Sequence, residues 1–258
     1  MQTFYFGSQA SSLYGAYHEP QGVSRREGIV LCYPFGQEYM RAHRSFRRLA
    51  INLAARGFAV LRFDYRGCGD SAGDVTGVTA QHWIDDIHSA IQELKDIAAV
   101  TTVSLMGLRL GGLLAAAAAQ NQHISRLVLW DSALSGDAYC NEIGSEIQTQ
   151  NSRSRFVAAN GDMYFNGFNL PQTLQTGLNA LNLLQMPHLA QMQWSQIVSH
   201  EHPDFTRVRE AFVANPRYTY KLAPAPHDWN YVDHVGGILW PAPIVAAIEE
   251  YFVQGQGA

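Results

Sequence analysis

The sequence predicts an α/β fold: a mostly parallel central sheet with helices on both faces and one inserted segment. Three observations lead there. Apolar strands alternate with amphipathic helices, the strands are nearly continuous in apolar residues, and the alternation breaks once, from Ser135 to Met192, in a stretch rich in Asn, Gln and Ser.

In chain order, "GIVLCYPFG" (Gly28 to Gly36) is an apolar strand ending in Pro and Gly, and Glu38 to Gly57 is a helix closed by glycine. Phe58 to Gly67 is the next strand, followed by the glycine-rich loop "RGCGDSAGD". Asp85 to Ala99 lies in an expected helix together with Trp83 and Ile84, since Trp83, Ile84, Ile87, Ile91 and Leu94 keep a helical period. "VTTVSLMG" and "ISRLVLWDSALSG" supply two further buried strands, the second ending at Asp131. After the interruption come the strand "QWSQIVSH", the helix "FTRVREAFVAN", the strand "RYTYKLAP" and a last helix with Pro243 at its start. Residues 1–134 and 193–258 therefore read as one core. Residues 135–192, with the amphipathic run "LQTGLNALNLLQM", read as a lid over the carboxyl ends of the strands, where sites in such sheets lie.

A chain of 258 residues with 47% hydrophobic residues buries a sizeable core, and a net charge of −4 without a block of like charge does not favour nucleic acid or an anionic membrane. A small neutral or anionic ligand, or a carrier-bound acyl group, suits it better. Cys32, Cys68 and Cys140 lack C-x-x-C spacing, which argues against disulfides and thiolate metal sites and for a reducing, cytoplasmic setting. The N-terminal "MQTFYFGSQASSLYG" has no basic and apolar leader, and the tract from Leu110 to Ala119 is too short to span a bilayer, so a soluble protein without membrane insertion is expected. No residue pattern calls for a cofactor.

The chemistry gathers around "LMGLRLGGLL" (Leu105 to Leu114), where a strand turns sharply into the helix-forming "AAAAAQ". With "CYPFGQE" after an earlier strand, "DYRGCGDSAG" after the next and a late histidine, the chain resembles the α/β-hydrolase superfamily, whose nucleophile elbow reads G-x-S-x-G. It is most similar to hydrolase-like proteins associated with exosortase systems and some natural-product gene clusters, which carry a comparable "PFGQEY" loop and a "GLRLG" elbow. The resemblance runs from about Gly28 to Gly136 and implies the α/β-hydrolase fold. It supplies no established chemistry for an arginine elbow.

Arg109 occupies the nucleophile's place. A guanidinium is always protonated and carries donors only, so acyl-serine chemistry at this position is excluded, and Leu108 and Leu110 offer no replacement. Two readings stand side by side. In one, Arg109 joins the N-terminus of the following helix in an anion clamp or oxyanion site, with the Leu110 N–H and the loop at Phe35 and Gly36 as further donors. In the other it plugs the site by pairing with Glu38, Asp131, Glu201 or Asp204, because a buried cation needs a partner.

The resemblance places the late histidine at His227, with His234 as alternate, and the orienting acid at Asp131, with Glu201 and Asp204 as alternates. Glu38, two residues past Gly36, is a counterion for Arg109, a general base, or simply an acid complementing a helix dipole. His200 and His202 with Asp204 offer metal-ligand types, but the spacing supports no metal site. His82, Asp85, Asp86 and His88 read as a solvated helix face. Cys68 beside Arg66 is a thiol whose pKa would fall there, yet no histidine is near it in sequence; "RGCGDS" reads as a structural turn without dinucleotide spacing. Three functions follow: an enzyme without a serine nucleophile acting on a small acyl- or carboxylate-bearing metabolite, a non-catalytic binding relative, or an esterase or thioesterase with a displaced nucleophile.

Overall fold

The computed structural model describes residues 1–8, 11–149, 155–229 and 241–254. Eight strands form one sheet: β1 (Gln2–Phe6), β2 (Leu13–His18), β3 (Glu27–Cys32), β4 (Ala59–Phe63), β5 (Thr102–Leu108), β6 (Ile124–Trp130), and, later in the chain, β10 (Trp194–Val198) and β11 (Tyr218–Leu222). Their spatial order is β1-β2-β4-β3-β5-β6-β10-β11. From β4 to β11 neighbouring strands are parallel, while β1 and β2 add an antiparallel edge. That edge is missed by periodicity in the sequence, because both strands are short and β2 is buried at nearly every position.

The central strands carry the long apolar runs because both of their faces are covered; every residue of β3 and β4 is buried. α1 (Gln37–Ala55) buries Ala42, Phe46, Leu49 and Leu53, and α2 (Ala80–Ala98) buries Trp83, Ile84, Ile87, Ile91 and Leu94. α2 starts at Ala80, three residues before Trp83, the first residue of the expected helical period, because the Thr79 side chain accepts the His82 N–H and His82 returns the bond as a capping box. Its polar face is also less solvated than expected: Asp86 is buried and paired with Arg66 at 2.6 Å, and His88 Nε2 lies 3.0 Å from the Ala118 carbonyl. α3 (Leu110–Ala118) is buried at all but one position, which explains its run of alanines.

Residues 135–192 are more ordered than their polar composition suggests. They contain α4 (Gly136–Thr149), a three-stranded antiparallel sheet of β7 (Arg155–Val157), β8 (Met163–Phe165) and β9 (Phe168–Leu170), and α5 (Gln172–Asn179). The amphipathic run does not continue as one helix. α5 ends at Asn179, and Asn182 then caps a separate 3-10 turn at Leu183–Gln185. The fold closes with α6 (Pro203–Phe212) and α7 (Ala242–Gln254). Among the described residues no helix is long and apolar enough to cross a membrane.

From β3 the chain winds to β4 on one side, whereas β5 lies on the other, so the strand order reverses between β3 and β5. A crevice at the carboxyl ends of two such strands is where a doubly wound sheet binds ligands. Glu38, just after β3, and Arg109, just after β5, flank it.

Candidate active site at the arginine elbow

Arg109 links β5 to α3 with φ 52° and ψ −119°, a strained conformation for any residue but glycine. Four backbone bonds hold it: its N–H donates to the Trp130 carbonyl at 3.0 Å, and its own carbonyl accepts from Gly112, Ala133 and Leu113 at 3.1, 3.2 and 3.4 Å. The neighbouring glycines are required sterically. A Cβ on Gly107 would stand 2.3 Å from the Gly111 carbonyl oxygen, and one on Gly111 would stand 2.3 Å from the carbonyl oxygens of both Cys32 and Tyr33. The last contact presses the elbow against the loop that carries Phe35 and Gly36.

The Arg109 side chain is held between two carboxylates. Its Nε donates to Glu38 Oε1 at 2.8 Å, and one terminal nitrogen donates to both oxygens of Glu142 at 2.7 and 2.6 Å. Glu38 is fully buried and also accepts a 3.4 Å bond from the Tyr139 hydroxyl. The two partners differ in exposure: the side chain of Glu38 is 1% exposed and that of Glu142 is 46%. Burial by itself would lower the guanidinium's pKa, but the charges of Glu38 and then Glu142 outweigh it and hold the group well above its ordinary value. A cavity of about 250 Å³ lies against this cluster, lined by Arg109, Ser132, Tyr139, Glu142, His202 and Asp204 among others.

Asp131, Glu201 and Asp204 do not contact Arg109. Asp131, at the end of β6 with φ 41°, is fully buried and accepts the Ser199 N–H at 2.7 Å and the Ser199 hydroxyl at 2.6 Å. Ser199 Oγ is in turn 3.0 Å from His200 Nδ1. The single Ser199 hydrogen goes to Asp131, so Ser199 accepts from the protonated Nδ1 of His200, and this tautomer leaves the lone pair on Nε2. Burial lowers the His200 pKa, and the neighbouring His227, His202 and Arg109 add to the effect against the opposing Asp131. Asp131 therefore orients His200 through Ser199, and does not orient His227.

His227 is exposed and stacks on His200, with ring centroids 3.8 Å apart and planes at 12°. Its Nδ1 lies 3.3 Å from the Ala225 carbonyl. His234 falls outside the described residues. Glu201 is exposed, and Asp204 sits in the first turn of α6, 3.5 Å from Arg207. Glu142 escapes sequence reasoning, and His200 enters it only as a metal-ligand type. His200 had one usable signal, its place at the carboxyl end of the strand after the insertion; Glu142 had none, because nothing in a polar helix marks the side chain that reaches the elbow.

The remaining candidates lie as follows. Phe35 packs its ring against Trp83, Phe165 and Phe168, with centroids 5.3, 6.0 and 6.2 Å apart, and Gly36 turns the chain into α1 with φ 66°. Leu110 begins α3, where the backbone N–H has no helical acceptor. Cys68 behaves opposite to the sequence expectation. Arg66 is committed to Asp86, so burial followed by the charges of Asp64 and Asp86 pushes the thiol up to about 12. Such a thiol is a poor nucleophile.

Comparison with known proteins agrees with this fold. The profile of the serine aminopeptidase, S33 family matches residues 29–158, half of the chain. The chain belongs to that α/β-hydrolase family. Solved structures share its architecture over almost the full length. DcsB in complex with a substrate analogue is 15% identical over 98% of both chains with a TM-score of 0.67. The proline iminopeptidase of Mycobacterium smegmatis is 15% identical over 98% of both, at 0.66. Est1E from Butyrivibrio proteoclasticus, solved with ferulic acid bound, is 17% identical over 97% of this chain and 98% of its own, also at 0.66. Identities this low speak for fold. No curated protein matches the sequence. In this S33 member the elbow between Gly107 and Gly111 presents an arginine, so its chemistry has to be argued from the residues around Arg109.

Proposed function

We propose that this S33-fold protein is an enzyme that works without an acyl-serine step on a small acyl- or carboxylate-bearing metabolite, and that Arg109 binds the substrate's anionic group. One observation carries this reading: the two carboxylates on Arg109 are unequal. Glu38 is a fixed buried counterion. Glu142 is half exposed, lies in the inserted segment and takes the outer nitrogen, so a substrate carboxylate displacing it meets the same donor and leaves the buried pair intact.

In this reading residues 135–192 are the lid, and α4 brings Tyr139, Glu142 and Ser145 to the cavity wall. His200, with a neutral Nε2 oriented by Ser199 and Asp131, is the general base acting on water or on the substrate directly, with His227 stacked beside it. The N–H groups of Leu110 and of the loop at Phe35 and Gly36 stabilise negative charge developing on an acyl oxygen. The likeness of the "PFGQEY" and "GLRLG" segments to exosortase-associated and natural-product-cluster proteins suggests exopolysaccharide or natural-product biosynthesis as the setting.

The test is a turnover screen of small esters, thioesters and carboxylic acids, followed by Arg109→Gln and His200→Gln on any substrate found. Losses of roughly a hundredfold or more in kcat/KM are expected for both. Unchanged turnover in Arg109→Gln would show the mechanism to be wrong. A fluorophosphonate probe should label no serine in the native protein; labelling at a defined serine would instead establish an esterase or thioesterase with a displaced nucleophile. A second reading, a non-catalytic receptor for a carrier-bound chain or a partner, draws support from the double pairing of Arg109. It predicts Arg109-dependent binding of a carboxylate without consumption.

A further inference from the structure

A second cavity, of about 400 Å³, is framed by the loop at residues 33–36, the loop after β4 and the β8–β9 turn. It shares no lining residue with the cavity at Arg109. Its walls are aromatic, supplied by Tyr33, Phe35, Tyr39, Tyr65 and Phe168, and the charged residues that line it are Asp64 and Asp74, with no basic side chain.

Asp64 is the unusual member. It is 6% exposed, and its two oxygens accept from the Tyr39 hydroxyl at 2.9 Å and the Asp70 N–H at 3.0 Å. Among the described residues no cationic nitrogen lies within 4.0 Å of its carboxylate. Arg62, two residues earlier on β4, gives its guanidinium to neutral acceptors instead: His18 Nε2 at 3.2 Å and the Tyr33 hydroxyl at 2.7 Å. Asp64 therefore has hydrogen bonds but no direct ion pair, although it also lines an adjoining cavity with His43, Arg47 and Arg62, and the charge of His43 offsets part of the upward push that burial gives its carboxyl. The rings around it add to the bias, since aromatic faces attract cations. Asp74 is exposed and hydrogen-bonded to the Thr76 N–H at 2.7 Å, and its charge contributes negative potential to the same wall.

We propose that this cavity binds a compact organic ammonium, with the cationic head at Asp64 and the apolar body against Phe35, Tyr39 and Phe168. The volume suits a small molecule, falling within the roughly 300–1,000 Å³ common for ligand pockets. Neutral ligands of the same shape gain the apolar contacts alone, and anions are repelled by both carboxylates. The site adjoins the elbow through the shared loop at Phe35 and Gly36, but it requires no displacement of Glu142 and no participation of Arg109.

The experiment titrates the full chain with choline and, separately, with its uncharged isostere 3,3-dimethylbutan-1-ol. Binding is followed by calorimetry and by tryptophan fluorescence, because Trp83 packs on Phe35 and Tyr65 with centroids 5.3 and 5.2 Å away. Choline should saturate and bind at least tenfold more tightly than the alcohol. Asp64→Asn, which keeps an acceptor for the Asp70 N–H, should abolish that preference. Phe168→Leu, which keeps an apolar side chain but removes a half-buried ring, should weaken choline several-fold and the alcohol by less, because both lose apolar contact and only choline loses the ring's attraction for a cation; it carries the test if Asp64→Asn fails to fold. Equal affinity for the two probes, unchanged choline binding in a folded variant, or no saturation at tens of millimolar would each overturn the proposal.

Discussion

Two arginines near neighbouring strands of the sheet, one at each end, are both paired with a buried glutamate, and they are built differently. Arg126, on β6, gives one nitrogen to both oxygens of Glu27 at 2.7 Å and another to the carbonyls of Phe252 and Tyr251 at 2.8 and 3.2 Å. Glu27 takes a further bond from the Ser104 hydroxyl at 2.8 Å, and the two charged side chains are each 6% exposed. The partners of Arg126 among the described residues all belong to the fold. Arg109, at the other end, has the buried Glu38 on one side and the half-exposed Glu142 on the other. The same pair of residue types thus makes a closed joint at the amino ends of the strands and a joint with an exchangeable side at their carboxyl ends. The proposed function has a ligand compete for the second and not for the first.

This contrast can be broken in graded steps. The largest effect is expected from Glu27→Gln, which leaves a buried guanidinium without its charge partner and should cost about 3–5 kcal/mol in urea unfolding. Replacing both partners, as in Glu27→Leu with Arg126→Met, should recover most of that loss, because the pair is costly mainly when half of it is removed.

A third arginine sharpens the comparison by pH. Arg62 donates to a neutral imidazole, and burial, reinforced by Arg62 itself, holds the His18 pKa down at about 4 against an ordinary value of 6.5. The unfolded chain then binds a proton that the folded protein refuses, so stability should fall as pH drops from about 6.5 toward 4, by about 2–3 kcal/mol for this group. His18→Gln should flatten that part of the stability profile measured by thermal unfolding across pH.

Glu38→Gln should cost less than Glu27→Gln, about 1–3 kcal/mol, because Arg109 keeps Glu142 as a partner. Glu142→Gln should cost under about 1 kcal/mol, as exposed ion pairs do, while tightening the binding of a simple carboxylate such as benzoate several-fold in calorimetry. Equal stability losses in Glu38→Gln and Glu142→Gln would remove the distinction between a fixed and an exchangeable partner. The smallest response should come from the thiols. Cys32, Cys68 and Cys140 are all pushed up to about 12, chiefly by burial, so iodoacetamide at pH 8 should label the folded protein at least tenfold more slowly than a free thiol.

Much of the architecture is legible in the linear chain. The apolar runs of β3 to β6, the glycine closing α1 and the strand-to-helix turn at Gly107 all report burial or backbone geometry that is local to a few residues. The antiparallel edge of β1 and β2 was not legible, since two short aromatic strands acquire their identity from pairing with β4. The site was readable only in part. Glu38 and Arg109 stand out by position in two motifs, but their contact spans 71 residues of sequence, and that of Arg109 with Glu142 spans 33. His200 was obscured by the more conspicuous pair it forms with His202, and Asp131 reaches it only through Ser199, 68 residues away.

By itself the sequence determines the strand-helix alternation, the elbow with its glycines and the loss of a nucleophile there, because periodicity, steric demand and side-chain chemistry are properties of residues and their near neighbours. The tertiary structure alone decides which carboxylates neutralise Arg109, how far each is open to solvent, which histidine Asp131 orients, and that Asp64 lines an aromatic cavity without a direct ion pair. Those are questions of distance and dielectric between groups far apart in the chain, and they acquire values only once the sheet brings the strand ends together.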